Sequence, residues 1–235
     1  GHGTHVAGIA AAISNNGIGV TGVSWGGLIM PVKVLDRFGN GSYSNVAAGI
    51  IWAADNGAEV INLSLGGETP SSVLEDAINY SYSKGVVLVA AAGNSGSNSN
   101  SVLYPARYAH VIAVAATDSS NNHAVFSRFG PEVDVSAPGV GIYSTTIGNN
   151  YGYLSGTSAS TLFVSGLAAI LRGLSTFTST EQITEELETT ALDLGISGRD
   201  DLYGFGLIQM DAAIQPLWPT STPTFTPTAT FTVNS

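Results

Sequence analysis

Three stretches of this 235-residue chain hold side chains suited to nucleophilic or acid–base work. They are Gly1-His2-Gly3-Thr4-His5-Val6-Ala7-Gly8, Ala90-Ala91-Ala92-Gly93-Asn94-Ser95-Gly96 and Leu154-Ser155-Gly156-Thr157-Ser158-Ala159-Ser160. In the last, a small hydroxyl at Ser158 is hardly crowded by its neighbours. The apolar run Leu162 to Leu171 behind it predicts a buried helix of about three turns. Ser158 then falls at a helix N-terminus, where unpaired N–H groups and the dipole favour developing negative charge. A Ser or Thr in that place is more often only a cap. His2 heads a second small-residue helix, Val6 to Ile13, whose dipole disfavours the imidazolium and suits a base. His5, His110 and His123 read as structural.

These residues need a scaffold, and the chain supplies one in order. Leu28 to Leu35 reads as a strand, with Pro31 pointing to an early or edge position. Ser44 or Asn45 caps a helix that closes at Asn56-Gly57. Val60 to Leu65 reads as a strand ending in Gly66-Gly67, and Ser71 or Ser72 starts a helix that stops at Gly85. Val86 to Ala92 and Val111 to Ala116 are continuous apolar runs, as in parallel strands covered on both faces. Val133 to Gly139 is a shorter strand segment. Alternating strands and helices predict an α/β fold, a doubly wound, mostly parallel sheet flanked by helices. In such sheets ligands bind beyond the strands' C-terminal ends, where Gly66-Gly67 and Gly93-Asn94 both fall.

Composition bounds the function. Gly accounts for 29 residues, charged residues for 10% and hydrophobic residues for 44%; a usual chain is ~25% charged. That is a tightly turned, ordered domain. Seven basic residues against 17 acidic ones, for a net charge of −10, exclude a nucleic-acid partner. There is no Cys, hence no disulfide or thiol chemistry. No run reaches the ~18 apolar residues of a membrane span. Residues 1–214 read as one domain, and 215–235 as a Thr/Pro-rich linker or stalk.

The blocks His2-Gly3-Thr4-His5-Val6-Ala7-Gly8, Ala91-Ala92-Gly93-Asn94 and Gly156-Thr157-Ser158, in this order, resemble a subtilisin-like serine protease of the subtilase family. Val60-Ile61-Asn62-Leu63-Ser64-Leu65-Gly66-Gly67, Tyr104-Pro105-Ala106-Arg107-Tyr108, Asp134-Val135-Ser136-Ala137-Pro138-Gly139 and Tyr203-Gly204-Phe205-Gly206 agree with it. The resemblance implies a secreted, monomeric endopeptidase acting on peptide or protein substrates. Ser158 would be the nucleophile, His2 the general base and Asn94 an oxyanion donor beside the Ser158 N–H. Ser64, Leu65 and Gly66 on one side and Gly39, Asn40 and Gly41 on the other would hold an extended peptide. Ala91, Ala92 and Gly93 would line the first specificity pocket, and Leu103 would shorten it towards medium apolar side chains. Ile13, Asn15, Asn16, Ile18 and Val20 would belong to a Ca2+ loop, with an ordinary Asn-Gly loop as the alternative. Tyr104-Pro105 would be a cis peptide.

Two departures accompany the resemblance. The family's triad Asp lies ahead of the His block, so the expectation is a polypeptide that lacks it, together with its strand, and is slowed by about 10⁴. After Ser158, Ala159-Ser160-Thr161-Leu162-Phe163 replaces the usual Met-Ala-Ser-Pro-His. A peptide-binding pseudoprotease is the rival reading, and an acyl-transferring macrocyclase a third.

Overall fold

Four parallel strands in the order β1-β2-β3-β4 form the central sheet of the computed structural model, which describes residues 1–94, 101–174 and 176–214. In chain order the elements are α1 (His2–Ala11), α2 (Tyr43–Asp55), β1 (Val60–Leu63), α3 (Ser72–Ser83), β2 (Val87–Ala91), β3 (Val111–Thr117) and β4 (Val135–Pro138). Then come β5 (Ile142–Thr146), β6 (Asn150–Leu154), α4 (Thr157–Arg172), α5 (Thr180–Thr189) and α6 (Met210–Ile214). The Thr/Pro-rich stretch lies outside the described residues.

The apolar runs of β2 and β3 are continuous because each strand feeds two cores. Leu88, Ala90, Val111 and Ala113 face Val46, Ile50, Leu74 and Ile78 of α2 and α3. Val87, Val89, Ile112 and Val114 face Val164, Leu167 and Leu171 of α4, with Ile183 and Leu187 of α5. Period-two side-chain alternation thus fills both faces. Ser42, not Ser44 or Asn45, caps α2 by accepting from Asn45 N, and Ser71 caps α3 through Leu74 N.

The segment Leu28 to Leu35 is not a strand. A strand needs a neighbour to share its N–H and C=O groups, and none of the described strands pairs with this one. Val32 and Val34 instead drop onto α2 at Gly49, where a Cβ would meet Val34 Cγ1 at 2.4 Å. Leu28 stays 97% exposed.

α1 packs on α4 through Ile9, Ala10, Ala159 and Leu162. The approach is close: a Cβ on Gly166 would lie 2.6 Å from Val23 Cβ. Val23 N and Ser24 N donate to Ile9 O and Ala10 O, satisfying carbonyls at the end of α1. The antiparallel β5–β6 hairpin buttresses the other side of α1. Ser144 Oγ donates to His5 O and Thr145 Oγ1 to Thr4 O, both at 2.8 Å.

Candidate active site

The hairpin delivers the chain to Gly156, which precedes α4 without a capping side chain. Asn94 takes over that task from across the sheet. Its Oδ1 accepts from Thr157 N at 2.9 Å and from Thr157 Oγ1 at 3.0 Å. Thr157 Oγ1 also accepts from Gly93 N at 3.2 Å. A backbone N–H can only donate, so the bonded Asn94 atom is the oxygen and Nδ2 is left to donate outward. Nδ2 lies against Gly156, where a Cβ would come within 3.2 Å of it. The neighbouring amide Ala159 N donates to Gly156 O. Ser158 N remains an unpaired first-turn donor among the described residues.

Ser158 is the second residue of α4. Its Oγ donates to Ser64 O at 3.4 Å, while Ser64 Oγ donates to Ser158 O at 2.9 Å. Behind this pair, Ser165 Oγ donates to Asn62 Oδ1 at 3.0 Å and Asn62 Nδ2 to Ser64 Oγ at 2.9 Å. The end of β1 is thereby tied to the first turns of α4.

His2 is exposed at the head of α1. The protein packed around the ring holds its pKa below the ordinary imidazole value, and the nearby His5 adds to this. Among the described residues no hydrogen bond links His2 to Ser158. His5 is a core residue: it is 0% exposed, and its Nε2 lies 3.1 Å from both Ile142 O and Gly152 O. Burial also lowers the His123 pKa, and His110 stacks on Tyr82.

Ser64, Leu65 and Gly66 follow β1, and Ala92, Gly93 and Asn94 follow β2, at the strand ends where a ligand site belongs. Gly67 pairs with Tyr104, and the Tyr104–Pro105 bond is cis. Gly39, Asn40 and Gly41 are exposed in a turn held by Asp36, whose Oδ1 accepts from Phe38 N and Asn40 N. This turn shares no hydrogen bond with the Ser158 cluster. Tyr43 connects it to the other edge: a Cβ at Gly67 would meet the Tyr43 hydroxyl at 2.3 Å.

Leu103 stands between the two glycine walls. Cβ atoms built on Gly66 and Gly93 would lie 2.9 Å and 2.7 Å from its side chain, and Leu103 N donates to Ala92 O. Ala91 is 4% and Ala92 0% exposed, so these two are wall backing rather than open lining.

The loop from Ile13 to Val20 turns through Asn15, Gly17 and Gly19 at positive φ. Asn16 Oδ1 already accepts from Ile18 N at 3.1 Å. Among the described residues no group of three His, Cys, Asp or Glu could hold a metal. Calcium needs about six to eight oxygens, carboxylates among them. The loop offers only neutral ones, so Ile13, Asn15, Asn16, Ile18 and Val20 do not complete a shell by themselves.

Thr157 and Asn62 lie within the resemblance blocks, but neither they nor Ser165 and Tyr43 were among the expected site residues. The spacing of Asn62 two residues before Ser64 on a strand, placing both on one face, was the available hint.

A family model described as the Subtilase family matches residues 1–206. The chain is 49% identical over 213 residues to M-protease of Shouchella clausii, covering 91% of this chain and 54% of that protein. It is equally identical to Subtilisin Savinase of Lederbergia lenta, covering 77% of that protein. The chain thus spans about half the length of M-protease. Among solved structures, Sphericase superposes with a TM-score of 0.85 at 35% identity, covering 89% of this chain and 77% of that one. A protease of Pseudoalteromonas arctica gives 0.83 at 35%, covering 92% and 70%. With sequence and fold agreeing over nine-tenths of its length, the chain belongs to the subtilase family.

Proposed function

We propose that the whole protein is a secreted serine endopeptidase working through an acyl-enzyme. The observation that carries this reading is the orientation of Asn94. Two donors from Thr157 fix its Oδ1, which leaves Nδ2–H and Ser158 N–H as paired donors at the head of α4. Such preorganised donors stabilise an oxyanion without reorganising during the reaction.

In this reading Ser158 Oγ attacks the scissile carbonyl carbon while His2 takes the hydroxyl proton. The carbonyl oxygen gains the negative charge and accepts from Asn94 Nδ2 and Ser158 N. Collapse of the adduct breaks the C–N bond, and His2 returns the proton to the leaving amine. Water then repeats the sequence and frees Ser158. Ser64 to Gly66 and Gly39 to Gly41 hold the peptide as an added strand. Leu103, lodged between Gly66 and Gly93, restricts the acyl-side pocket to medium apolar side chains. In this reading the triad carboxylate comes from a segment ahead of His2. Structural calcium belongs to the loop Ile13 to Val20 only together with oxygens from elsewhere in the protein.

The test uses the complete gene product on peptides of defined sequence, with products weighed by mass spectrometry. Internal cleavage in the wild type and none in Ser158→Ala is the expected result. Binding without cleavage would favour the peptide-binding module, and ring-closed or transferred products the acyl-transfer reading.

A further inference from the structure

Beneath the glycine walls lies a charge that the mechanism does not use. Arg128 is 7% exposed. Its Cδ would come within 2.9 Å of a Cβ on Gly93, the atom on which Leu103 also presses. Its backbone N–H donates to Gly93 O at 2.9 Å. From there the guanidinium runs to the opposite wall. Nη1 donates to Ser101 O at 2.8 Å, and Nη2 donates to Glu68, the residue after Gly66-Gly67. Nε has no partner among the described residues.

The pair is lopsided. Arginine cannot give up its proton to escape burial, so its charge must be met by an anion. Among the described residues the only carboxylate hydrogen-bonded to it is Glu68, whose own side chain is 74% exposed. Arg107 is engaged elsewhere: it pairs with Glu132 at 3.1 Å and lies over Tyr104. A buried cation that loses its partner is strongly destabilised and favours any anion that reaches it.

We propose that Arg128 is a specificity-determining residue, the cationic floor of the acyl-side pocket. Glu68 neutralises it, so the pocket takes an uncharged side chain, and removing Glu68 opens it to an acidic one. This rests on the peptidase reading above and names the substrate feature that reading leaves open.

The test compares wild type, Glu68→Ala and Glu68→Gln, each as the complete gene product. Active sites are first counted with a fluorophosphonate. kcat/KM is then measured on two peptides differing only by Leu or Glu on the acyl side of the cleaved bond. The Glu-to-Leu ratio should rise by about tenfold or more in both Glu68 variants, and the rise should vanish when Arg128→Met is added. An unchanged ratio, or a rise that survives Arg128→Met, overturns the assignment. So does loss of fluorophosphonate labelling in both Glu68 variants, which would make the pair a folding element. A wild type that takes no label instead removes the peptidase reading, which separates the two failures.

Discussion

At the scale of single residues, one backbone donor sets the orientation of the side chain beside Ser158. Thr157 N–H can only donate, so Asn94 can only present its amide. Asn94→Ala should therefore lower kcat with little change in KM. The size expected is about 10²–10³, the loss known for this donor in subtilisin. His2 gives a pH dependence with a definite sign. Its neutral form is the base, and burial lowers its pKa. Burial by itself puts the acid limb of kcat/KM below the free imidazole value of about 6.5, and a carboxylate paired with the ring moves that limb back up. Replacing Leu103 by Gly should deepen the pocket and raise kcat/KM for aromatic over medium aliphatic side chains, as read on matched peptides. His2, Asn94 and Ser158 were visible in the sequence because each sits in a short block of small residues. The roles of Thr157, Asn62 and Tyr43 were not, since they arise only when α2, β1, β2 and α4 meet.

At the scale of elements, β2 and β3 announced themselves because two cores demand unbroken apolar runs. Leu28 to Leu35 carries the same signature and is not a strand, since hydrophobic pattern says nothing about who supplies the other half of a ladder. The hairpin β5–β6 escaped notice for the opposite reason. Ser144 and Thr145 are small polar residues whose hydroxyls bond to α1, which no apolar alternation reveals. The helix α5 was legible in principle: Ser179 and Gln182 form a reciprocal capping box. The α1–α4 contact yields a testable sign. Gly166→Ala gains up to ~1 kcal/mol of helix propensity. The added methyl, however, would stand 2.6 Å from Val23 Cβ, an atom fixed close to the backbone, and overpacking of that kind costs about 1–3 kcal/mol. The variant should melt below the wild type, and a higher midpoint would mean that Val23 yields freely.

For the molecule as a whole, one buried carboxyl links the closing segment to the sheet and makes stability depend on pH. Burial pushes the Asp134 carboxyl up to about 7 against the lowering effect of the bond from Ala113 N; Glu188 adds to the rise and Arg199 opposes it. Asp134 Oδ2 accepts from Ala113 N at 2.7 Å, and its carbonyl accepts from Phe205 N at 2.7 Å. Gly204 is required there, since a Cβ would fall 2.1 Å from Asp134 O. The folded state keeps a proton that the unfolded chain loses near 3.8. This contribution is therefore complete at and below the unfolded value and declines as pH rises to about 7. Asp134→Asn retains the acceptor for Ala113 and should flatten that decline in denaturant titrations between these limits. An unaltered slope would place the titrating group elsewhere.

The central claim is that Ser158 is an activated nucleophile. It is tested most directly by treating the complete gene product with a fluorophosphonate and locating the modified residue by mass spectrometry, beside Ser158→Ala. A single adduct on Ser158, absent from the variant and slowed below the His2 pKa, is the predicted result. A folded, processed protein that takes no label, or takes it equally in Ser158→Ala, contradicts the account and leaves the Gly66–Gly67 cleft as a groove that binds peptides without cutting them.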